Sequence, residues 1–117
     1  MINFKESKNI YLYSENIDMR MGLNKIQLLV ASNFSKIMIR HSVFVFCAKN
    51  GKTIKIYYED DYGSWLLQNR LFEGKFKWPK GLDIGTKISK EQLNGLCKGL
   101  EVIESKIKKE SEVIDYF

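Results

Sequence analysis

Three residues have the types and the order found in metal-dependent nucleases. Asp60 precedes Glu73 and Lys75, which form an E-x-K motif, and acidic side chains of this kind hold the metal ion that assists hydrolysis. Their surroundings do not suit that chemistry, because Glu73 falls in a predicted turn and Asp60 falls in an acidic turn before Gly63. We therefore expect no catalytic residues and a protein that is not an enzyme.

Other motifs that hold cofactors or metals are missing from the sequence. It has no phosphate-binding loop, dinucleotide glycine fingerprint, zinc-ligand spacing or nucleophile elbow. His41 is the only histidine, and Cys47 and Cys97 lie far apart without C-x-x-C spacing. We expect no cofactor, no metal and no disulfide, with both thiols buried and free.

The remaining candidate chemistry is positive charge. The 117-residue chain has 19 basic and 14 acidic residues and a formal net charge of +5. This modest excess permits contact with nucleic acid or an acidic protein surface, and it also fits an ordinary lysine-rich exterior. The basic residues of the central region are Lys49, Lys52, Lys55, Arg70, Lys75, Lys77 and Lys80.

A first hairpin is predicted to position part of this charge. Residues 43–47 and 54–58 have strand composition, and the Asn50-Gly51 pair between them favours a two-residue loop. This loop predicts the pairs Lys49 with Lys52, Cys47 with Ile54, Val45 with Ile56 and Val43 with Tyr58. One face is then apolar, while the other carries Phe44, Phe46, Lys55 and Tyr57. Either a helix covers this second face or a partner binds it.

A second hairpin is predicted around Glu73-Gly74, with strands at residues 65–72 and 75–78 before Pro79. It pairs Leu71 with Phe76 and Asn69 with Trp78 on one face, and Phe72 with Lys75 and Arg70 with Lys77 on the other. Like charges that face each other destabilise a ladder. Either an anion lies between Arg70 and Lys77, or water and salt screen an exposed pair.

Helices are predicted on both sides of this central region. A strand at residues 10–13 precedes a helix from 19 to 34, which Asp18 caps and in which Gly22 indicates a close backbone approach. Its apolar stripe is Met19, Leu23, Ile26, Val30 and Phe34. Residues 35–42 fit a connector or a helical turn, and 80–86 fit a glycine-spaced loop. Ser89 and Gln92 have capping-box spacing for a second helix over 89–107.

These elements predict one α+β domain over residues 1–117. Its antiparallel sheet has four or five strands built from hairpins and packs against two main helices. Residues 105–117 either prolong the last helix or fray. The strand order and the oligomeric state do not follow from the sequence. Since it has no long apolar run and no hydrophobic signal core, we expect a cytoplasmic protein without membrane contact.

Several ordered motifs resemble one protein family. Asp18-Met19-Arg20-Met21-Gly22 is similar to its D-M-R-K-G segment, and later pieces are similar to its R-L, G-[RK]-F and W-P motifs. Those pieces are Arg70-Leu71, Gly74-Lys75-Phe76 and Trp78-Pro79. The chain thus resembles, over residues 10–103, the TnpB accessory proteins encoded by the second open reading frame of insertion sequences of the family numbered sixty-six. It departs at Asn69 and Phe72, where the family usually has Lys and Glu.

The resemblance implies a non-catalytic accessory factor for transposition that acts beside a separate transposase. Two modes of action remain open from the residues. In the first, the protein binds DNA through Lys55, Arg70, Lys75 and Lys77, with Tyr57 or Phe72 stacking on bases. In the second, the aromatic face docks on the transposase of the same element without contacting DNA.

Overall fold

The computed structural model describes residues 9–40 and 42–98. Its elements are β1 (Asn9–Leu12), α1 (Leu23–Asn33), α2 (Lys36–Ile39), β2 (Ser42–Cys47), β3 (Thr53–Glu59), β4 (Ser64–Arg70), β5 (Thr86–Ile88) and α3 (Lys90–Cys97). The strands form one sheet in the order β4-β3-β2-β1-β5. The predicted α+β class with a sheet of four or five strands is confirmed, and the sheet has five.

The first hairpin has the predicted register. In the ladder between β2 and β3, Cys47 pairs with Ile54, Val45 with Ile56 and Val43 with Tyr58. The loop is longer than the predicted two residues. Within it, the N–H of Gly51 donates to the carbonyl of Ala48 at 2.9 Å. Gly51 has φ +72°, a conformation that glycine adopts without strain. Lys49 and Lys52 therefore belong to the turn and not to the ladder.

The second predicted hairpin is wrong. β4 pairs antiparallel with β3 along its whole length, from Ser64 opposite Glu59 to Arg70 opposite Thr53. Residues 71–85 form no strand. Their backbone groups bond instead to the first hairpin, since Leu71 N–H donates to the carbonyl of Lys52 at 2.9 Å and Phe76 N–H to that of Gly51 at 2.7 Å. This segment crosses the end of the sheet.

The sheet is not wholly antiparallel. β1 pairs parallel with β2, with Ile10 opposite Val43, and the connection through α1 and α2 provides the crossover that parallel neighbours need. On its other side β1 pairs antiparallel with β5, where Ile10 lies opposite Ile88. The start of this short strand, Thr86, lies in the segment predicted to be a glycine-spaced loop.

The first helix begins later than predicted. Gly22 is its N-cap and supplies no side-chain cap, and a Cβ at Gly22 would meet nothing within 4 Å, so the expected close approach is also wrong. Asp18 instead accepts bonds from the backbone N–H of Arg20 at 2.8 Å and from its guanidinium Nη2 at 2.8 Å. These bonds hold the pKa of Asp18 well below its ordinary range. Met19 was predicted to lie on the apolar stripe of this helix, but it precedes the helix and is exposed.

Two apolar layers sandwich the sheet. On one face, α1 covers Phe44, Phe46 and Tyr57 with Ile26 and Val30. On the other, α3 and the crossing segment cover a second cluster, which comprises Val43, Val45, Cys47, Ile54, Ile56, Tyr58, Phe76, Leu93 and Leu96. The sheet thus has no large aromatic face open to solvent in the described part of the chain.

The last described helix begins as the sequence predicts. Ser89 and Gln92 form the complete capping box, with the Ser89 side chain accepting from Gln92 N–H at 3.0 Å. Ser35 likewise caps the short α2, so residues 36–39 form a helical turn. Cys47 is buried and Cys97 half-buried, both as free thiols. His41, the predicted helix beyond residue 98 and the tail over 105–117 lie outside the described residues.

Candidate nucleic-acid interface

Basic side chains meet at the end of the first hairpin. Arg70 ends β4 opposite Thr53, next to the turn that carries Lys52. The returning chain brings Lys75 to the same turn, where its aliphatic stem lies over Gly51 and its Cδ would lie 3.1 Å from a Cβ at that position. We call Lys52, Arg70, Phe72 and Lys75 the hairpin-end cluster.

Three residues of the hairpin-end cluster, together with Leu71, line a shallow cleft. Its volume is about 370 Å³, and it is lined by Lys52, Arg70, Leu71 and Phe72. The Phe72 ring is fully exposed, whereas Leu71 packs against the core beneath. An exposed ring in a cleft that two cations also line presents a flat apolar surface beside positive charge, which is the chemistry that a nucleobase and its phosphate require.

The backbone of the hairpin-end cluster is held by the sheet. The hydrogen bonds of Leu71 and Phe76 to the hairpin turn fix both ends of the segment that carries Phe72 and Lys75. Further along, the Trp78 indole N–H donates to the carbonyl of Tyr13 at 3.0 Å. Trp78 packs on the α3 side of the sheet. Its contacts hold the crossing segment against the end of the sheet.

Two residues predicted to bind nucleic acid lie elsewhere. Lys55 is 4% exposed, and its ammonium group donates to the carbonyl of Met21 at 2.7 Å, just before α1. Tyr57 is fully buried, and its hydroxyl donates to a carboxylate oxygen of Glu59. Burial and this bond raise the pKa of Tyr57. Both side chains belong to the layer under α1 and do not reach the hairpin-end cluster.

The remaining predicted residue, Lys77, is exposed in the crossing segment between the buried Phe76 and the half-buried Trp78. It does not oppose Arg70 in a ladder, because the second hairpin does not form. Lys52 was not among the predicted site residues, although the Asn50-Gly51 signal for the turn already placed it at the end of the hairpin.

Among the described residues, one acidic residue lies within the sequence of the hairpin-end cluster. Glu73 is exposed beside Phe72. Asp18 lies near Lys49, whose charge helps to lower the pKa of Asp18, but the main contribution comes from hydrogen bonds with Arg20.

The opposite end of the sheet is acidic, and its carboxylates have structural partners. Asp60 accepts from the indole N–H of Trp65 at 2.9 Å and from the backbone N–H groups of Tyr62 and Gly63 at 2.8 Å. The Trp65 bond, with these amides, lowers the pKa of Asp60. Asp61 pairs with Arg40 at 3.3 Å. The bonds of Asp60 close the turn between β3 and β4, and the pair with Arg40 joins this turn to the end of α2.

The nuclease-like residues do not converge. The length of β4 separates Asp60 from Glu73 and Lys75, and a strand of this length spans roughly 20 Å. Among residues 9–40 and 42–98, no group of three or more His, Cys, Asp or Glu side chains could hold a metal ion. The structure therefore gives this motif no shared metal position.

Comparison with known families matches residues 8–107 to the family described as IS66 Orf2 like protein. The chain belongs to this family. The match covers the hairpin-end cluster and all the described elements, and it confirms the resemblance seen in the motifs. Membership of the IS66 Orf2-like family supports an accessory role in transposition.

Curated relatives come from Sinorhizobium fredii (strain NBRC 101917 / NGR234). The chain is 28% identical over 101 residues to uncharacterized protein y4hO, covering 86% of this chain and 88% of that protein. It is 30% identical over 101 residues to uncharacterized protein y4jC, covering 86% of each. No solved structure matches the chain. Within the described ranges, every helix is too short or too polar to cross a membrane.

Proposed function

We propose that this IS66 Orf2-like protein assists transposition by binding DNA through the hairpin-end cluster, without catalysing a reaction itself. The observation that supports this role is that Lys52 and Arg70 line one cleft with the exposed ring of Phe72, while Lys75 lies over the adjacent hairpin turn. Fixed cations contact phosphates regardless of base sequence, and an exposed aromatic ring stacks on an unpaired base.

The arrangement favours DNA over docking through the aromatic face. Phe44, Phe46 and Tyr57 are almost completely buried beneath α1, so a transposase could reach them only if the helix were displaced. The cations of the hairpin-end cluster, by contrast, are held on backbone that is hydrogen-bonded to the sheet. DNA contact at this end requires no rearrangement of the core.

The test is DNA affinity at a series of salt concentrations. An Arg70→Ala, Lys75→Ala double variant removes two exposed cations and should flatten the log-log salt dependence by about two units, roughly one for each lost phosphate contact. Its free energy of unfolding should change by less than about 1 kcal/mol, because exposed charges contribute little to stability. Phe72→Ala should weaken binding to single strands while leaving the salt slope unchanged.

The matched control is a Lys25→Ala, Lys36→Ala double variant, which removes the same charge from exposed positions on α1 and α2. It should bind DNA like the unmodified protein. Equal affinity and equal salt slope in the folded Arg70→Ala, Lys75→Ala variant and in this control would refute DNA binding by the hairpin-end cluster.

A further inference from the structure

Within residues 9–40 and 42–98, β4 is an edge strand with little protection. In the sheet order β4-β3-β2-β1-β5, no described strand pairs with its outer side. β4 has seven residues, SWLLQNR, without proline and with a single charge at its last position. Exposed edges are usually protected by short length, proline, charge or a bulge. The opposite edge, β5, has such protection, since it has three residues and a central lysine, Lys87.

The hydrogen bonds at both ends of β4 show which backbone groups point outward. Leu71 N–H donates to Lys52, and Asp60 N–H donates to Gly63, each at 2.9 Å. In an antiparallel ladder, bonded and non-bonded pairs alternate. Residues 65, 67 and 69 therefore bond to β3, and the N–H and C=O groups of residues 64, 66, 68 and 70 point away from the sheet.

We propose that β4 pairs with β4 of a second copy, antiparallel, about a twofold axis at Leu67. In this register Ser64 lies opposite Arg70 of the second copy and Leu66 lies opposite Gln68. Every outward N–H and C=O group of the strand then has a partner. A shift by two residues in either direction leaves one end of each strand unpaired.

The side chains suit self-pairing in this register. Leu67 meets its own symmetry mate at a non-hydrogen-bonded position, where facing side chains come closest, and half-exposed Trp65 lies beside Asn69 of the second copy. Arg70 lies opposite Ser64, whose neighbour across the native ladder is Glu59. Opposite charges thus approach each other and like charges do not, which favours a second copy over an unrelated peptide.

The dimer does not depend on the proposed DNA binding, so its tests are performed without nucleic acid. Lys52, Phe72 and Lys75 lie outside β4 and stay accessible in the paired sheet. Arg70 belongs to both surfaces, so Lys75→Ala and Phe72→Ala, which change no residue of β4, distinguish failure of DNA binding from failure of the dimer.

Molecular mass in solution is the first measurement. The full chain should sediment at twice its 13.7 kDa. Gln68→Pro removes an outward N–H without breaking the bonds to β3, and it should raise the dimer dissociation constant about tenfold or more. Gln68→Ala keeps the N–H and should remain dimeric. A monomeric unmodified protein, or a folded Gln68→Pro variant that dimerises normally, would overturn the proposal.

Cross-linking fixes the register even if Gln68→Pro fails to fold. In a Cys97→Ala background, Leu67→Cys places two thiols across the twofold axis, within the range that a disulfide spans. Asn69→Cys, on the same face, places its thiols too far apart to join. Oxidation should cross-link the first variant and not the second. Equal cross-linking of both variants, or of neither, would contradict pairing about Leu67.

Discussion

Replacing Lys55 with methionine tests whether Lys55 has a structural role or binds DNA. Lys55 is 4% exposed and donates to the carbonyl of Met21 at 2.7 Å. Methionine keeps most of the aliphatic stem but has no donor, so the carbonyl that leads into α1 loses its partner. The change also removes a charge whose burial is itself unfavourable.

The expected cost follows from these two opposing effects. A hydrogen bond from a charged donor contributes about 1.5–3 kcal/mol, and relief of the buried charge offsets part of it. Lys55→Met should therefore lower the free energy of unfolding by about 1–2 kcal/mol. Lys55→Ala also loses about three methylene groups of roughly 0.8 kcal/mol each, which raises the total loss in the free energy of unfolding to about 3.5–4.5 kcal/mol.

Urea denaturation measures the free energy of unfolding, and DNA titration at several salt concentrations measures the role in binding. Folded Lys55→Met should keep the affinity and salt slope of the unmodified protein, whereas Arg70→Ala should lose about one unit of slope at nearly unchanged stability. A Lys55→Met variant with unchanged stability and a flattened salt slope would refute the buried assignment and restore Lys55 to the interface.

Two further predictions concern a glycine and a thiol. Gly85 has φ +78°, and a Cβ there would lie 2.4 Å from the Phe34 ring, so Gly85→Ala should cost about 2–4 kcal/mol in thermal or urea unfolding. Gly74 has φ +76° but open space, and Gly74→Ala should cost only about 1 kcal/mol; equal losses would exclude the ring contact. Burial raises the pKa of Cys47 from 9.0 to about 11, so the unfolded chain ionises first and stability should fall between about pH 9 and 11. Cys47→Ala should reduce that fall, and identical pH profiles would contradict it.

Local signals predicted the elements that depend on neighbouring residues. Asn50-Gly51 and the alternation of the flanking residues were enough to predict the register of the first hairpin. Ser89 and Gln92 were enough to predict the start of α3. The motifs around Arg70 and Trp78 were enough for the family. In the hairpin and in α3, the stabilising contacts lie within a few residues of one another or follow directly from the alternation of side chains along a strand.

Tertiary contacts decided the rest. Phe76 lies in an alternating pattern typical of a strand, but its N–H donates to the carbonyl of Gly51. The segment after Glu73 therefore crosses the end of the sheet instead of forming a strand. Burial also overrode residue type. Lys55 and Tyr57 were expected in the interface because of their chemistry, yet the face they occupy is the one that α1 covers. No local pattern shows which face a helix will occupy.

The position of β1 between β2 and β5 governs the order in which the chain can fold. β2, β3 and β4 join through short turns and can form a meander from local contacts, whereas β1 waits for α1 to return the chain before it pairs with β2. Its other neighbour, β5, comes much later in the sequence. During synthesis β1 thus emerges before its partners and acquires its second one last. Until residues 86–88 arrive, Ile10 and Leu12 border an open edge on which a nascent chain can mispair.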